Sequence, residues 1–488
     1  MTTIASAILP DSVRTPQYDR SRLASRIVHF GFGAFHRAHQ ALLTDRVLNA
    51  QGGDWGICEI SLFSGDRLMS QLRAQDYLYT VLEKGANGNQ AIVIGAVHEC
   101  LNAKLDSLTA IIEKFCEPQV AIVSLTITEK GYCIDPATGT LDLTHPRIRH
   151  DIDSPGEPHS APGILVEALS RRRERGLLPF TVLSCDNIPD NGHVVKNAVL
   201  GMAEKRDPAL AMWIREHVSF PGTMVDRIVP AATDETLDEI SRALGVADPC
   251  GISCEPFIQW VIEDRFVAGR PAWETAGVQL VTDVRPWEEM KLRMLNGSHS
   301  FLAYLGYLSG FQHISECMQD EAFREAAYQL MMREQAPTLS ITDVDLQRYA
   351  GSLIARFANP ALKHKTWQIA MDGSQKLPQR MLAGVRIHLE RGSAWPLLAL
   401  GIAGWMRYVC GVDDAGAPID VRDPLSDKIR LLVANVGENE KVANLLTLQE
   451  VFGSDLPKNP VFVQAIETAW QHLARHGAHQ AVISTLKI

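Results

Sequence analysis

The strongest constraint on this chain is a rhythm in its first 285 residues, where short, uniformly apolar runs alternate with amphipathic stretches. The segment "SRIVHFGFGAFHRAHQALLTDRVLNA" opens the series with a buried strand at 27–30, a glycine turn, and a helix from about Ala34 to Leu48. A second strand follows at "WGICEISLF", then a helix near 66–75, a strand-like run at "AIVIGAV", and a helix at "LDSLTAIIEKF". An apolar strand at 120–127, a helix at "GILVEALSRRRERG" and a strand at "FTVLSC" continue it. Strands apolar on both faces and separated by helices predict an α/β fold with a doubly wound parallel sheet. The proline- and charge-rich stretch 144–163 predicts an exposed loop within this domain. After about residue 285 the periodicity is helical, in segments near 286–308, 318–335, 343–357, 376–391, 395–411, 422–436 and 458–475. The expected division is therefore 1–285 and 286–488, the second part being mostly α-helical.

Composition narrows the function. A net charge of −10 supplies no basic stripe for nucleic acid and argues against anionic membranes. The longest apolar stretch, "WPLLALGIAGWM", is shorter than the roughly 18 residues of a membrane-spanning helix, and the N-terminus lacks the pattern of a signal peptide. Nine scattered cysteines, none in a CxxC, suggest neither a disulfide framework nor a zinc site, so no metal is expected. A cytoplasmic enzyme or binding protein acting on small molecules is the expected class. The oligomeric state stays open, and a monomer is compatible with the sequence.

Gly31 and Gly33 form a G-x-G directly after the first strand, where a tight turn lets backbone amides approach a pyrophosphate. The third glycine of the usual fingerprint is absent; His36 occupies its position. An acid near the end of the second strand should hold the adenosine ribose, and both Glu59 and Asp66 are placed for it. "VSLTITEKGY" brings Thr126, Thr128, Glu129 and Lys130 to the carboxyl edge of the sheet, and "SCDNIPDNG" brings Asn187 there. Taken singly, Asp186 and Asn187 read equally well as ordinary turn residues, and Glu129 with Lys130 as a solvated pair.

The second polar constellation is "KLRMLNGSHS". On a helix turning about 100° per residue, Lys291, Asn296 and His299 fall within an arc of about 140°. A lysine on an otherwise apolar helix must snorkel, pair, or lose its proton; the last option makes a base, because burial moves a lysine pKa from about 10.4 toward 7 or 8.

With these motifs in order, "GFGAFHRAHQ", "VSLTITEKGY", "SCDNIPDNG", "FPGTMVDRIVP", "KLRMLNGSHS" and "MDGSQK", the chain resembles the polyol-specific long-chain dehydrogenase/reductase family from about residue 25 to 480. The likeness is greatest to its fructuronate reductase (D-mannonate oxidoreductase) branch. The resemblance implies a Rossmann-type N-terminal domain, a helical C-terminal domain, NAD as cofactor and no catalytic metal. It implies Lys291 as general acid/base, Asn187 and Asn296 as amides holding the reacting oxygen, and His299 as a substrate-orienting group. Asp226 matches an acid near the substrate, and Gly31, Gly33 and Phe35 match the turn at the cofactor. Ile27, Asp66, Thr126 and Glu129 complete the candidate cofactor-binding set. A sugar acid also needs a cation for its carboxylate, for which Lys376, Arg380 and Lys365 are candidates. Three alternatives stay open. A mannitol or arabinitol dehydrogenase would use the same catalytic parts on a neutral substrate. A zinc alcohol dehydrogenase would need ligands the sequence does not space. A dinucleotide-binding regulator would have no use for Lys291, Asn296 and His299.

Overall fold

The computed structural model describes residues 3–62, 64–86, 88–135 and 138–487, the side chain of Asn439 excepted. The chain forms two compact units, Met1–Arg285 and Pro286–Ile488.

In the first unit the strands are β1 (Ala24–Phe30), β2 (Trp55–Ser61), β3 (Tyr79–Gly85), β4 (Gly88–Ile94), β5 (Val97–Asn102) and β6 (Ile122–Leu125). They continue with β7 (Thr181–Ser184), β8 (Thr223–Asp226), β9 (Ile252–Cys254), β10 (Gln259–Glu263) and β11 (Gln279–Val281). The main sheet has the order β5-β2-β1-β6-β7, with every pairing parallel. The chain winds outward from β1 through β2 to β5 and then returns to the other side of β1 at β6. Strand order thus reverses between β1 and β6, the place where open α/β sheets leave a crevice. Phe30 pairs with Ile60 and Leu125, and Leu125 with Ser184, so the strand ends are level and the following loops emerge at one edge. β6 and β7 are buried at every position, which is what helices on both faces require.

Several expectations need correction. The helix expected over 34–48 is two helices, Ala34–Ala38 and Gln40–Gln51, broken at His39 (φ −124°, ψ −93°). The run "AIVIGAV" is not one strand: it ends β4, antiparallel to β3, and begins β5. β3 and β4 join β9 in one small sheet, and β8, β10 and β11 form another. Phe63, the last residue of the expected second strand, lies outside the described residues. The stretch 144–163 is an exposed loop only over 154–159, between two helices. Proline begins the helix Pro146–Asp153, and buried Asp151 accepts from the amides of His159 (2.6 Å) and Ser160 (2.8 Å). Pro146 and Pro162, two of the prolines that read as loop, instead begin helices.

The second unit is helical. Ser298–Leu308 and Pro396–Val409 are buried on nearly every side and pack together, with Pro460–Thr485 against the latter. Helices apolar all round belong in a core. Three of its segments, Lys291–Gly297, Leu330–Gln335 and Pro378–Leu382, are π-helical. Among the described residues no helix is long and apolar enough to cross a membrane.

Candidate active site

At the sheet edge of the first unit, Gly31 has φ +103°, and a Cβ built there would overlap the carbonyl oxygen of Thr126. Only glycine fits. Its amide donates to Ile60 O (3.0 Å) and its carbonyl accepts from Thr126 Oγ1 (2.9 Å), so the turn is tied to both neighbouring strands. Gly33 caps the helix Ala34–Ala38 in extended conformation, and a Cβ there would meet nothing closer than 3.8 Å. The cradle is formed and open, as a bound dinucleotide needs. Phe35 beside it stacks on His39 at 4.7 Å.

Of the two acids placed for the ribose, only Asp66 is accessible. Glu59 has no exposed surface and is bound to His36 Nε2 at 2.7 Å. Asp66 begins the helix Asp66–Ala74 just past β2, half-exposed, with Lys104 at 3.3 Å. Its helix's own N-terminal amide and Lys104 hold the carboxyl below its usual range, so it is anionic. Ile27 is a correction: it lies three residues before the end of β1 with no exposed surface, inside the apolar core, and supports the strand rather than reaching a ligand. Thr126 is half-buried at the edge, and Glu129, itself exposed, opens the 3₁₀ turn Glu129–Tyr132.

Asp186 is more than a turn residue. Its buried carboxylate accepts from the amides of Ile127 (3.0 Å) and Thr128 (2.9 Å) and from Tyr132 Oη (2.6 Å). Burial pushes its pKa up, against the pull of those donors. The loop after β6 is thereby fastened to the loop after β7, with Thr128 held at φ +64°. The Asn191 amide adds bonds to Asp186 O (3.1 Å) and Thr223 O (2.9 Å), linking this edge to β8. Asn187 stands exposed on that platform, and Asp226, buried, ends β8 opposite Gln259. Sequence reading missed Asp186, Tyr132 and Asn191 as the framework; the D-x4-N spacing of "DNIPDN" was the available signal.

In the second unit, Lys291 and Asn296 are buried, at 6% and 8% exposure. They lie at positions i and i+5 of the π-helical segment. In an i→i+5 turn such residues stack on one face, whereas the ideal α-helical projection separates them by about 140°. His299 follows on the α-helix, its ring stacked on Phe357 at 5.0 Å and 5.4 Å from His364. Its Nε2 is sealed from solvent and has no hydrogen-bond partner among the described residues. Burial, then the positive or titratable neighbours His364, Arg380, Arg356 and Lys376, hold its pKa well below the usual value, so the ring is neutral.

Gly297 makes this packing possible: a Cβ there would lie 2.5 Å from Gln335 Nε2 and 2.7 Å from Arg380 O. Arg380 in turn donates from NH1 to Ser300 Oγ (3.0 Å) and to Asn296 O (3.4 Å). Lys376 turns its ammonium to the carbonyls of Ile369 (3.2 Å) and Met371, and burial followed by Arg380 lowers its pKa to about 8. Arg380 and Lys376 thus belong to the same neighbourhood as His299, while Lys365 is the N-cap residue of the short helix Thr366–Ala370.

A Rossmann-type sheet with an open glycine cradle, followed by a helical unit carrying a buried lysine–asparagine pair, defines a dehydrogenase-type oxidoreductase. Residues 25–275 match the mannitol dehydrogenase Rossmann domain and residues 283–474 the mannitol dehydrogenase C-terminal domain. The chain belongs to the mannitol dehydrogenase family. It is 80% identical over the full length of both chains to the uncharacterized oxidoreductase YeiQ of Escherichia coli K12. It is 57% identical to the D-mannonate oxidoreductase of the same organism, covering 99% of each chain. Among solved structures it superposes on Pseudomonas fluorescens mannitol 2-dehydrogenase, in ternary complex with NAD and D-mannitol, with a TM-score of 0.85, 39% identity and 98% of each chain covered.

Proposed function

We propose that the protein is an NAD-dependent, metal-independent oxidoreductase that interconverts a keto-sugar acid and an aldonate, of the fructuronate/D-mannonate type. The first unit serves as the dinucleotide-binding domain and the second as the substrate and catalytic domain. The observation that carries the sugar-acid reading is the positive charge near His299: Arg380, Arg356 and Lys376 are the cations that press on it, beside a His364 that burial keeps neutral, and such cations suit a carboxylate. The higher identity to a D-mannonate oxidoreductase, 57% against 39% for the mannitol 2-dehydrogenase, points the same way. All nine thiols are free, which suits the cytoplasm.

NAD, when bound, supplies the hydride acceptor for oxidation and, reduced, the donor for ketone reduction. Gly31 and Gly33 hold the pyrophosphate and Asp66 the adenosine ribose, with Phe35, Thr126 and Glu129 lining the edge. Lys291, as ammonium, gives its proton to the substrate oxygen as the carbonyl carbon is reduced; neutral, it takes the hydroxyl proton back in oxidation. Asn187 and Asn296 donate hydrogen bonds to that oxygen as charge develops on it, an effect typically worth about 3–4 kcal/mol per donor. His299 orients the substrate as a neutral ring, Asp226 stands beside the substrate, and Arg380 and Lys376 take the carboxylate. The test is NADH consumption against fructuronate and other keto-uronates beside fructose. The expected result is a kcat/KM for fructuronate at least about a hundredfold above that for fructose, roughly 2.7 kcal/mol of discrimination. Equal values, or a preference for fructose, would replace the reading with a polyol 2-dehydrogenase.

A further inference from the structure

The motif "FHRAHQ" directly after the glycine turn is left unused by this chemistry, yet His36, His39 and Gln40 are almost wholly buried. His36 occupies the place where the usual fingerprint has its third glycine, whose role is to let helix and strand approach closely. Here an imidazole fills that space. It stacks on His29 of β1 with ring centroids 3.4 Å apart and 11° between planes, and it meets Glu59 of β2 at 2.7 Å. His29 spans from the core to the turn: its Nδ1 lies 2.7 Å from Ser124 Oγ, and its Nε2 lies 3.1 Å from Gly31 O and 2.9 Å from Thr126 Oγ1. The His29 ring thus lies against the carbonyl oxygen of Gly31, which also accepts from Thr126 Oγ1 (2.9 Å) and from the amide of Gly33 (2.6 Å).

Nitrogen and oxygen atoms of His29, His36 and Glu59 come within 4.8 Å of one another, a spacing that would suit a metal. The ring geometry does not. Imidazole lone pairs lie in the ring plane, and an ion midway between parallel rings would sit about 1.7 Å out of each, against a metal–nitrogen bond of about 2.0–2.1 Å. His29 has, moreover, both nitrogens occupied.

We propose instead that His29, His36 and Glu59 are positioning residues for the dinucleotide: a buried, proton-sharing post that replaces the third glycine and sets the carbonyl of Gly31. The proposal rests on the reading of the Gly31–Gly33 turn as the cofactor site. Filling the space alone would need only an apolar side chain, and burying polar groups instead is costly unless their hydrogen bonds are required. Burial pushes Glu59 up to about 7 and His36 down to about 3. The pair therefore holds one proton between Nε2 and Oε1 without net charge below about neutral pH. Above it, Glu59 becomes an anion beneath the turn. The other groups facing it are His29 and Arg37, which favour the anion, with Tyr79, Cys58 and Cys100, all neutral in this range. An anion there opposes a pyrophosphate, so dinucleotide affinity should fall as pH rises through about 7.

The experiment is fluorescence titration of NADH on the full chain across roughly pH 6–9. Wild type should lose affinity several-fold over that range, and Glu59→Gln, isosteric with the protonated acid, should bind as wild type does at low pH and give a flat profile. His36→Gly, which restores the fingerprint, should weaken NADH binding about tenfold or more, with KM rising more than kcat falls. A His36→Gly protein that binds as tightly as wild type, or a Glu59→Gln profile with the wild-type slope, overturns the proposal. If His36→Gly does not fold, the Glu59→Gln profile alone decides. Gly31→Val serves as the control for the cofactor reading: unchanged NADH affinity in that variant means that the reading of the turn has failed, not the post.

Discussion

The glycine turn of the first unit and the lysine-bearing helix of the second solve the same problem by opposite means. At Gly31 the backbone needs a conformation that side chains forbid, and the sequence omits the side chain: φ is +103° and the carbonyl of Thr126 fills the place of a Cβ. At Lys291–Gly297 the side chains are needed and the backbone yields, widening a helix by one residue so that Lys291 and Asn296 share a face. A turn built on glycine is a local device, set by one residue and two neighbouring strands. A π turn is a tertiary device. It persists because the second unit packs two further π segments, Leu330–Gln335 and Pro378–Leu382, against it.

This contrast predicts separable losses. The largest belongs to Lys291→Ala, which should lower kcat by about 10²–10⁴, the usual contribution of a general acid/base, with NADH affinity within about twofold of wild type. Collapse of NADH binding in that variant would break the separation of the two halves. Next is Gly31→Ala, where an alanine at φ +103° adds strain of about 1–3 kcal/mol to the overlap with Thr126 O. NADH Kd should rise about tenfold or more and Tm should fall, while kcat at saturating NADH changes less. A loss confined to kcat would mean that the turn serves the chemistry and not the cofactor.

The difference also governs what could be read before the structure. The alternating apolar runs and the G-x-G are local patterns, and the parallel sheet with Gly31 at its switch point follows from them. K-x4-N-x2-H was projected on the wrong helix: a 100° projection cannot register the π turn at Lys291–Gly297, where Gly297 packs against Arg380 O, eighty-odd positions away in sequence. Which of Glu59 and Asp66 is accessible is equally illegible in sequence, since it turns on His36 reaching Glu59 across the helix–sheet interface. Asp186 shows the same limit, because a side chain that fastens the neighbouring loop looks in sequence like any aspartate in a turn. Ile27 failed for a simpler reason: strand residues before the carboxyl edge are core.

The smallest expected effect tests the tertiary half directly. In an ordinary helix, Gly297→Ala should stabilise by about 1 kcal/mol through propensity. Here the added methyl meets two atoms of unequal give. Gln335 Nε2, at 2.5 Å, is the end of a flexible side chain and can move at the expense of the Ser298–Gln335 hydrogen bond. Arg380 O, at 2.7 Å, is backbone and must shift with its segment, carrying the guanidinium away from Ser300 Oγ and Asn296 O. The propensity gain and the packing cost should nearly cancel in Tm, while kcat/KM for the sugar acid falls several-fold and NADH Kd is unchanged, a shift of roughly 1 kcal/mol in transition-state binding. Gln335→Ala in the same chain removes the first contact but not the second, so it should restore little of the activity. Full recovery would place the constraint on the glutamine and leave the Arg380 carbonyl without a part in shaping the turn.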